Sequence, residues 1–140
     1  MADAFDGAQV AVQISDDGRF EVTMQQPGML RPLRTAELSD GTLRFLMWAV
    51  ALLTPRPPPL MVLNEPETSL HPDLLPALGA LIARASRETQ LIVVSHATRL
   101  VAAIEDAAPA DVCQRIELEK SLGETVAQCH GACDAPQWHW

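Results

Sequence analysis

The sequence predicts an α/β fold, a mainly parallel sheet flanked by helices with β-hairpins at its margins. Three observations predict it. Between residues 60 and 106, short apolar runs alternate with helical periodicity in the order strand–helix–strand–helix. Within one sheet that order implies parallel strands joined by a right-handed crossover. Residues 8–25 and 112–128 instead carry the alternation and turn residues of hairpins. Finally, 48% hydrophobic and 20% charged residues over 140 positions suffice for a buried core and do not suit a disordered chain.

The elements follow in order. Val10, Val12 and Ile14, then Phe20, Val22 and Met24, alternate with polar residues, and Asp16-Asp17-Gly18 between them tolerates positive φ. Residues 26–37, with two prolines and a glycine, read as a loop. Ser39 is a good N-cap for a helix over Thr42–Leu53 that is apolar almost all round, and so is expected to be buried on most faces. Thr54 and the prolines that follow it up to Pro59 end that helix, because proline cannot continue a helix or enter a central strand. Leu60–Leu63 is an uninterrupted apolar run, the pattern of a strand covered on both faces. Pro72 suits a first helical turn, with Ser69 or His71 as possible caps, and Leu74, Leu75, Leu78, Leu81, Ile82 and Ala85 form one apolar stripe. Gln90–Val94 is a second buried strand and Thr98–Asp106 a short helix. Val112–Glu119 and Glu124–Gln128 flank Ser121-Leu-Gly123 as a closing hairpin, and residues 130–140 read as a loose tail.

Composition sets further expectations. The net charge of -8 does not suit a nucleic-acid surface, which needs clustered cations, and Arg31, Arg34 and Arg44 are the one local concentration of positive charge. The longest apolar stretch, Phe45–Leu53, is too short to span a bilayer. Met-Ala-Asp-Ala-Phe-Asp does not have the pattern of a secretory leader, and three cysteines do not make a disulfide framework. The expectation is a cytoplasmic protein with reduced thiols and no membrane partner.

Three segments could carry chemistry. The crossover places the loops after Leu63 and after Val94 at the same carboxyl edge of the sheet, where open α/β sheets bind ligands. The first loop opens with Asn64-Glu65-Pro66-Glu67, whose carboxylates suit Mg²⁺ or an attacking water and, taken alone, suit a solvated turn equally well. The second opens with Ser95-His96. A lone histidine is more often a satisfied hydrogen-bonding residue than a catalyst, and it gains meaning here from its inferred place beside Glu65. The third is Leu38-Ser39-Asp40-Gly41-Thr42 at a helix start, where backbone N–H groups suit a phosphate and an ordinary N-cap explains the same residues.

In order and spacing these segments resemble the ATP-binding-cassette ATPases, in particular the RecF/SMC-like and AAA15/AAA21-type branch. Leu38–Thr42 resembles the signature motif, Leu60-Met-Val-Leu-Asn-Glu65 resembles Walker B with its trailing glutamate, Thr68-Ser-Leu-His71 is similar to the D-loop, and Ser95-His96 matches the switch histidine. The resemblance covers roughly residues 20 to 106. It implies a P-loop NTPase fold with ATP as substrate and Mg²⁺ as cofactor. By the same resemblance, Glu65 polarises the water that attacks the γ-phosphate and His96 hydrogen-bonds that phosphate. Asn64 contacts Mg²⁺ through water. Ser39 and Gly41 contact a nucleotide held by the opposite protomer, and Ser69 lies on the dimer interface.

Asn64 stands where the family usually has an aspartate, and Asp40 and Thr42 replace Gly and Gln of the signature. The larger departure is that no Gly-x-x-x-x-Gly-Lys-Ser/Thr occurs, and Lys120 is the only lysine. Residues 1–128 are therefore expected to form a partial ATPase domain lacking Walker A, and 129–140 a tail. A missing Walker A lobe or partner chain is implied, together with a homodimer or self-association, and nucleic acid concerns the complete assembly only. A fragment, a truncated product and half of a split ATPase all fit. So does a degenerate lobe that acts as a dimerisation or interaction module. In the tail, Cys129, His130, Cys133 and His139 offer thiolate and imidazole to Zn²⁺, although Cys-His-x-x-Cys is not a standard knuckle spacing. Trp138 and Trp140 beside them suit docking on an apolar surface or fraying.

Overall fold

The computed structural model describes residues 4–5, 7–14, 17–109, 111–121 and 123–130. The first elements form a three-stranded antiparallel sheet in the order β1 (Gln9–Ile14), β2 (Phe20–Gln25), β3 (Leu33–Arg34). Val12 faces Val22 across the β1–β2 ladder, as the alternation predicts. The segment 26–37, read as loop, contributes the two-residue β3 and a 3₁₀ turn at Thr35–Glu37. It is held by the pairing of β3 with β2, by the Thr35 hydroxyl donating to the Val22 carbonyl at 2.7 Å, and by an ion pair in which Arg31 donates to both oxygens of Glu37 at 2.8 and 2.7 Å, while Glu37 also accepts from the Arg34 N–H at 2.9 Å. The hydrogen bond from Arg31 is the main cause that lowers the Glu37 carboxyl to about 2. Arg34 in turn meets Glu21 at 3.2 Å. Two of the three arginines in the one basic cluster are thus already neutralised.

Helix α1 (Asp40–Leu52) starts at the predicted cap, where the Ser39 hydroxyl accepts from the Thr42 N–H at 3.2 Å. It ends before the prolines, with the Leu53 N–H donating to the Ala49 carbonyl. Phe45, Leu46, Ala49 and Leu52 are buried, whereas Met47 and Val50 are exposed. One side of this apolar helix therefore faces solvent, contrary to the expectation from its sequence, because only the other side meets α2. The proline segment is tied to the next strand pair by Thr89, whose hydroxyl donates to the Pro58 carbonyl, and by Gln90, whose N–H donates to the Pro59 carbonyl.

Strand β4 (Leu60–Asn64), a 3₁₀ turn at Pro72–Leu74, helix α2 (Leu75–Ala85), strand β5 (Gln90–Val94) and helix α3 (Thr98–Ala107) form the predicted crossover unit. β4 and β5 pair in parallel from Leu60↔Gln90 to Asn64↔Val94. The α/β class holds, and among the described residues the parallel part is this pair alone. A core of Phe45, Leu52, Leu63, Leu74, Leu75, Leu78, Ile82, Ala85 and Leu100 sits between the pair and the three helices. Phe5 meets Phe45 edge-on, with centroids 5.4 Å apart. Burying a side chain of this size contributes on the order of 1.5–3 kcal/mol. α2 and α3 approach closely at Gly79, where an added Cβ would lie 2.7 Å from the Ala103 Cβ.

The strand pair is not covered on both faces as its apolar runs predict. Leu63 on the inner face is 1% exposed, while its neighbour Val62 on the outer face is 60% exposed. Leu60, Ile92 and Val94 share that outer face and are exposed as well. The physical reason is that α1, α2 and α3 all pack on one side. The last described elements are the antiparallel hairpin β6 (Arg115–Ser121) and β7 (Glu124–His130); β6 begins three residues later and ends two later than predicted, and β7 runs two residues further. Among the described residues no helix is long and apolar enough to cross a membrane.

Candidate functional site

The site grows from the carboxyl ends of β4 and β5. The ladder runs one step past its last paired residues, because the Glu65 N–H donates to the Val94 carbonyl at 2.7 Å. Glu65 itself adopts φ 45, left-handed backbone that non-glycine residues rarely take and that functional sites often hold. This turns the chain sharply off the strand. Two hydrogen bonds close the turns that follow, Thr68 N–H to the Glu65 carbonyl and Leu70 N–H to the Glu67 carbonyl. Ser69 is the other non-glycine residue with positive φ among the described residues, at 64. The Trp48 indole N–H donates to the Pro66 carbonyl at 3.0 Å and so anchors this loop to α1.

The two polar loops meet. His96 Nδ1 lies 3.7 Å from Glu65 Oε1 and 3.5 Å from Glu67 Oε1. The His96 and Glu65 side chains are 76% and 52% exposed, so both remain open to a ligand. Asn64, at the end of β4, is exposed. Ser39 and Gly41 open α1 on the other side of the 65–71 loop. A Cβ added at Gly41 would lie 3.0 Å from the Ser69 carbonyl oxygen, so any larger residue there would make the Ser69 backbone give by a few tenths of an ångström. Glu65, Glu67 and His96 are thus in one cluster, while Gly41 and Ser69 form a second contact at the start of α1, which Ser39 caps.

Sequence reasoning gave Glu67 no role beyond membership of an acidic loop, yet it is the buried member of the cluster. Its Oε1 accepts from the Ser95 hydroxyl at 2.8 Å and from the His96 N–H at 3.1 Å. Its Oε2 is buried without a hydrogen-bond partner among the described residues. Burial alone would raise the carboxyl pKa. The hydrogen bonds from its own N–H, the Ser95 hydroxyl and the backbone N–H groups of His96 and Ala97 outweigh burial and hold it below the ordinary range. The signal available in the sequence was a second carboxylate placed two residues after the first, facing a Ser-His loop.

Among the described residues no group of three or more His, Cys, Asp or Glu could hold a metal ion. Of the suggested zinc set, Cys133 and His139 lie outside the described residues, as do the side chains of Cys129 and His130, Trp138 and Trp140.

Comparison with known proteins matches residues 3–102 to the family described as "AAA domain, putative AbiEii toxin, Type IV TA system". No curated protein matches the chain. Solved structures with the same fold include one described under ATP-driven dimerization and DNA-stimulated activation of SMC ATPases, at 18% identity and TM-score 0.69, covering 93% of this chain and 78% of that one. The Smc head with an extended coiled coil from Pyrococcus furiosus, bound to the C-terminal domain of ScpA, has 19% identity and TM-score 0.68, covering 92% of this chain and 32% of that one. The SMC head domain from Thermotoga maritima has 21% identity and TM-score 0.62, covering 93% and 44%. At these identities the likeness is one of fold, and the chain spans less than half the length of the last two.

Proposed function

The chain belongs to the AAA-domain family that matches residues 3–102, an ABC/SMC-like branch of the P-loop ATPases, and on this premise we propose that it provides the signature, Walker B and switch-histidine half of a composite site that binds and hydrolyses ATP. Walker A comes from a lobe or partner chain outside this sequence. The observation that carries the reading is the approach of His96 to Glu65 at 3.7 Å, at the carboxyl edge of a parallel strand pair.

Phosphoryl transfer is mainly positioning and charge stabilisation, so each role is geometric. Glu65, exposed and turned off the strand by its left-handed backbone, accepts a proton of the attacking water and orients its lone pair to the γ-phosphate. His96 donates a hydrogen bond to a γ-phosphate oxygen and keeps phosphate and water in line. Ser39 and Gly41, with the positive end of α1 behind them, meet the γ-phosphate of a nucleotide held by an opposite protomer. Ser69, whose backbone abuts Gly41, lies on that dimer interface. Mg²⁺ bound with ATP would supply neutralisation of the phosphate charge. The residues fit it, since Mg²⁺ is held mostly by phosphates and waters with one or two protein oxygens, and the exposed Asn64 amide offers such an oxygen for a water-mediated contact.

The outer face of β4–β5, with Leu60, Val62, Ile92 and Val94 exposed, suits the Walker A lobe, in whose presence the pair becomes part of a mainly parallel sheet. The same apolar face, together with the neutral Asn64, favours a second reading as a non-catalytic dimerisation or interaction module. A cytoplasmic location belongs to either reading. Calorimetry of ATP with Mg²⁺ on the chain, alone and mixed with a complementing Walker A lobe, separates them. Binding in the mixture only is expected, and binding in neither case favours the interaction module. In the active mixture Glu65→Gln should lower turnover by about 10²- to 10⁴-fold while leaving nucleotide-driven dimerisation intact. Unchanged turnover refutes the role of Glu65.

A further inference from the structure

We infer that Glu67 is the positioning residue of this site, a buried carboxylate that clamps the Ser95–His96 loop and sets the orientation of the His96 imidazole. The inference rests on the composite-site reading above and names the residue on which the geometry of that site depends.

The parallel ladder ends at Asn64 and Val94, with one further bond from Glu65 to Val94, so among the described residues no strand pairing beyond Val94 holds the loop that carries His96. A single oxygen takes its place. Glu67 Oε1 accepts from the Ser95 hydroxyl at 2.8 Å and from the His96 N–H at 3.1 Å, and lies 3.5 Å from His96 Nδ1. The Ala97 N–H then donates to the Ser95 hydroxyl oxygen at 3.1 Å, which brings a third consecutive residue into the same network. Ala97 occupies the cap position of α3 and has no side-chain cap of its own, so the Glu67–Ser95 pair also finishes the start of that helix, where negative charge is favoured.

The two glutamates are unequal. Glu65 is half exposed and free to reach a ligand, while the Glu67 side chain is 8% exposed and its Oε2 has no hydrogen-bond partner among the described residues. Burying a carboxylate with one oxygen unsatisfied is unfavourable, and a neutral side chain could join the two loops at less cost. The carboxylate does what a neutral tether would not do as well: it makes charge-assisted hydrogen bonds to the loop and faces Nδ1. Nδ1 is the ring nitrogen nearer to both carboxylates, which leaves Nε2 for the phosphate. Outer partners of this kind fix the ring orientation of functional histidines in other sites.

The test has two readouts. In the chain itself, hydrogen exchange at the His96 amide is compared between wild type, Glu67→Ala and Glu67→Gln, with the amides of Leu78 and Ile82 in α2 as the measure of intact fold. Glu67→Ala should speed exchange at His96 by about tenfold or more and leave α2 unchanged, while Glu67→Gln, which keeps an acceptor oxygen, stays within about threefold of wild type. In the mixture with a complementing Walker A lobe, Glu67→Ala should lower kcat about 10- to 100-fold at unchanged KM for ATP, and should add no loss in a His96→Ala background. Wild-type exchange at His96 in Glu67→Ala, or a loss that adds to that of His96→Ala, overturns the inference. If Glu67→Ala unfolds, Ser95→Ala, which removes one arm of the clamp, carries the same comparison. A wild-type mixture that does not hydrolyse ATP overturns the composite-site reading instead, and the exchange result then decides alone whether Glu67 holds His96.

Discussion

The two faces of the β4–β5 pair are alike in apolar character and opposite in fate. Met61, Leu63, Leu91 and Val93 point inward to α1, α2 and α3 and join the core. Leu60, Val62, Ile92 and Val94, one residue out of step with them, point to solvent. Since successive side chains of a strand alternate between faces, each run of apolar residues supplies both sets at once. The difference is therefore one of partners, not of sequence. One face has been met by three helices, and the other is apolar and open. The site stands at the boundary of the two, because Asn64 and Glu65 leave the same strand end at which the covered and uncovered faces join.

The largest effect that would sharpen this comparison comes from the covered face. Leu63→Ala removes a side chain 1% exposed and should destabilise the chain by about 2–5 kcal/mol in denaturant unfolding. A change below about 1 kcal/mol would mean that the inner face is not what holds the chain folded. Next comes the contact behind it. Gly79→Ala places a Cβ 2.7 Å from the Ala103 Cβ and 2.9 Å from its carbonyl carbon. Although alanine favours a helix over glycine by about 1 kcal/mol, the clash should leave a net loss of about 1–3 kcal/mol in thermal or denaturant unfolding. A stabilised Gly79→Ala variant would show that α3 can move off α2 freely. The smallest effect belongs to the uncovered face. Val62→Thr keeps the β-branched shape and should change the stability of the chain alone by less than about 0.5 kcal/mol. The same variant should weaken association with a complementing lobe measured by calorimetry. Equal association would break the comparison, because the outer face would then be exposed without being an interface.

Much of the architecture was legible before any coordinates. Ser39, the prolines after Thr54 and Pro72 each mark a boundary that the backbone respects within one to three residues, because capping and the lack of an N–H act locally. The crossover unit was legible for a related reason. Parallel strands joined by a helix bring their carboxyl ends to one edge, so the nearness of Glu65 and His96 could be stated from order alone. The segment 26–37 was not legible as structure. Its order involves β3 pairing with β2, Thr35 reaching the Val22 carbonyl and Arg34 reaching Glu21, contacts between segments that only the sheet brings together.

The two glutamates mark the division most sharply. The sequence by itself determined that two carboxylates follow strand β4 and that a Ser-His pair follows β5, since these are facts of order and of local pattern. Only the tertiary structure decided which carboxylate would be buried. Glu65 takes a left-handed backbone and bonds to Val94, the chain turns, and Glu67 is carried beneath the Ser95 loop while Glu65 stays open. Likewise the sequence determined that both strands are apolar, and the tertiary structure decided which face is covered. Burial depends on what packs against a residue, and for the inner face that partner lies elsewhere in the chain, on α1, α2 and α3.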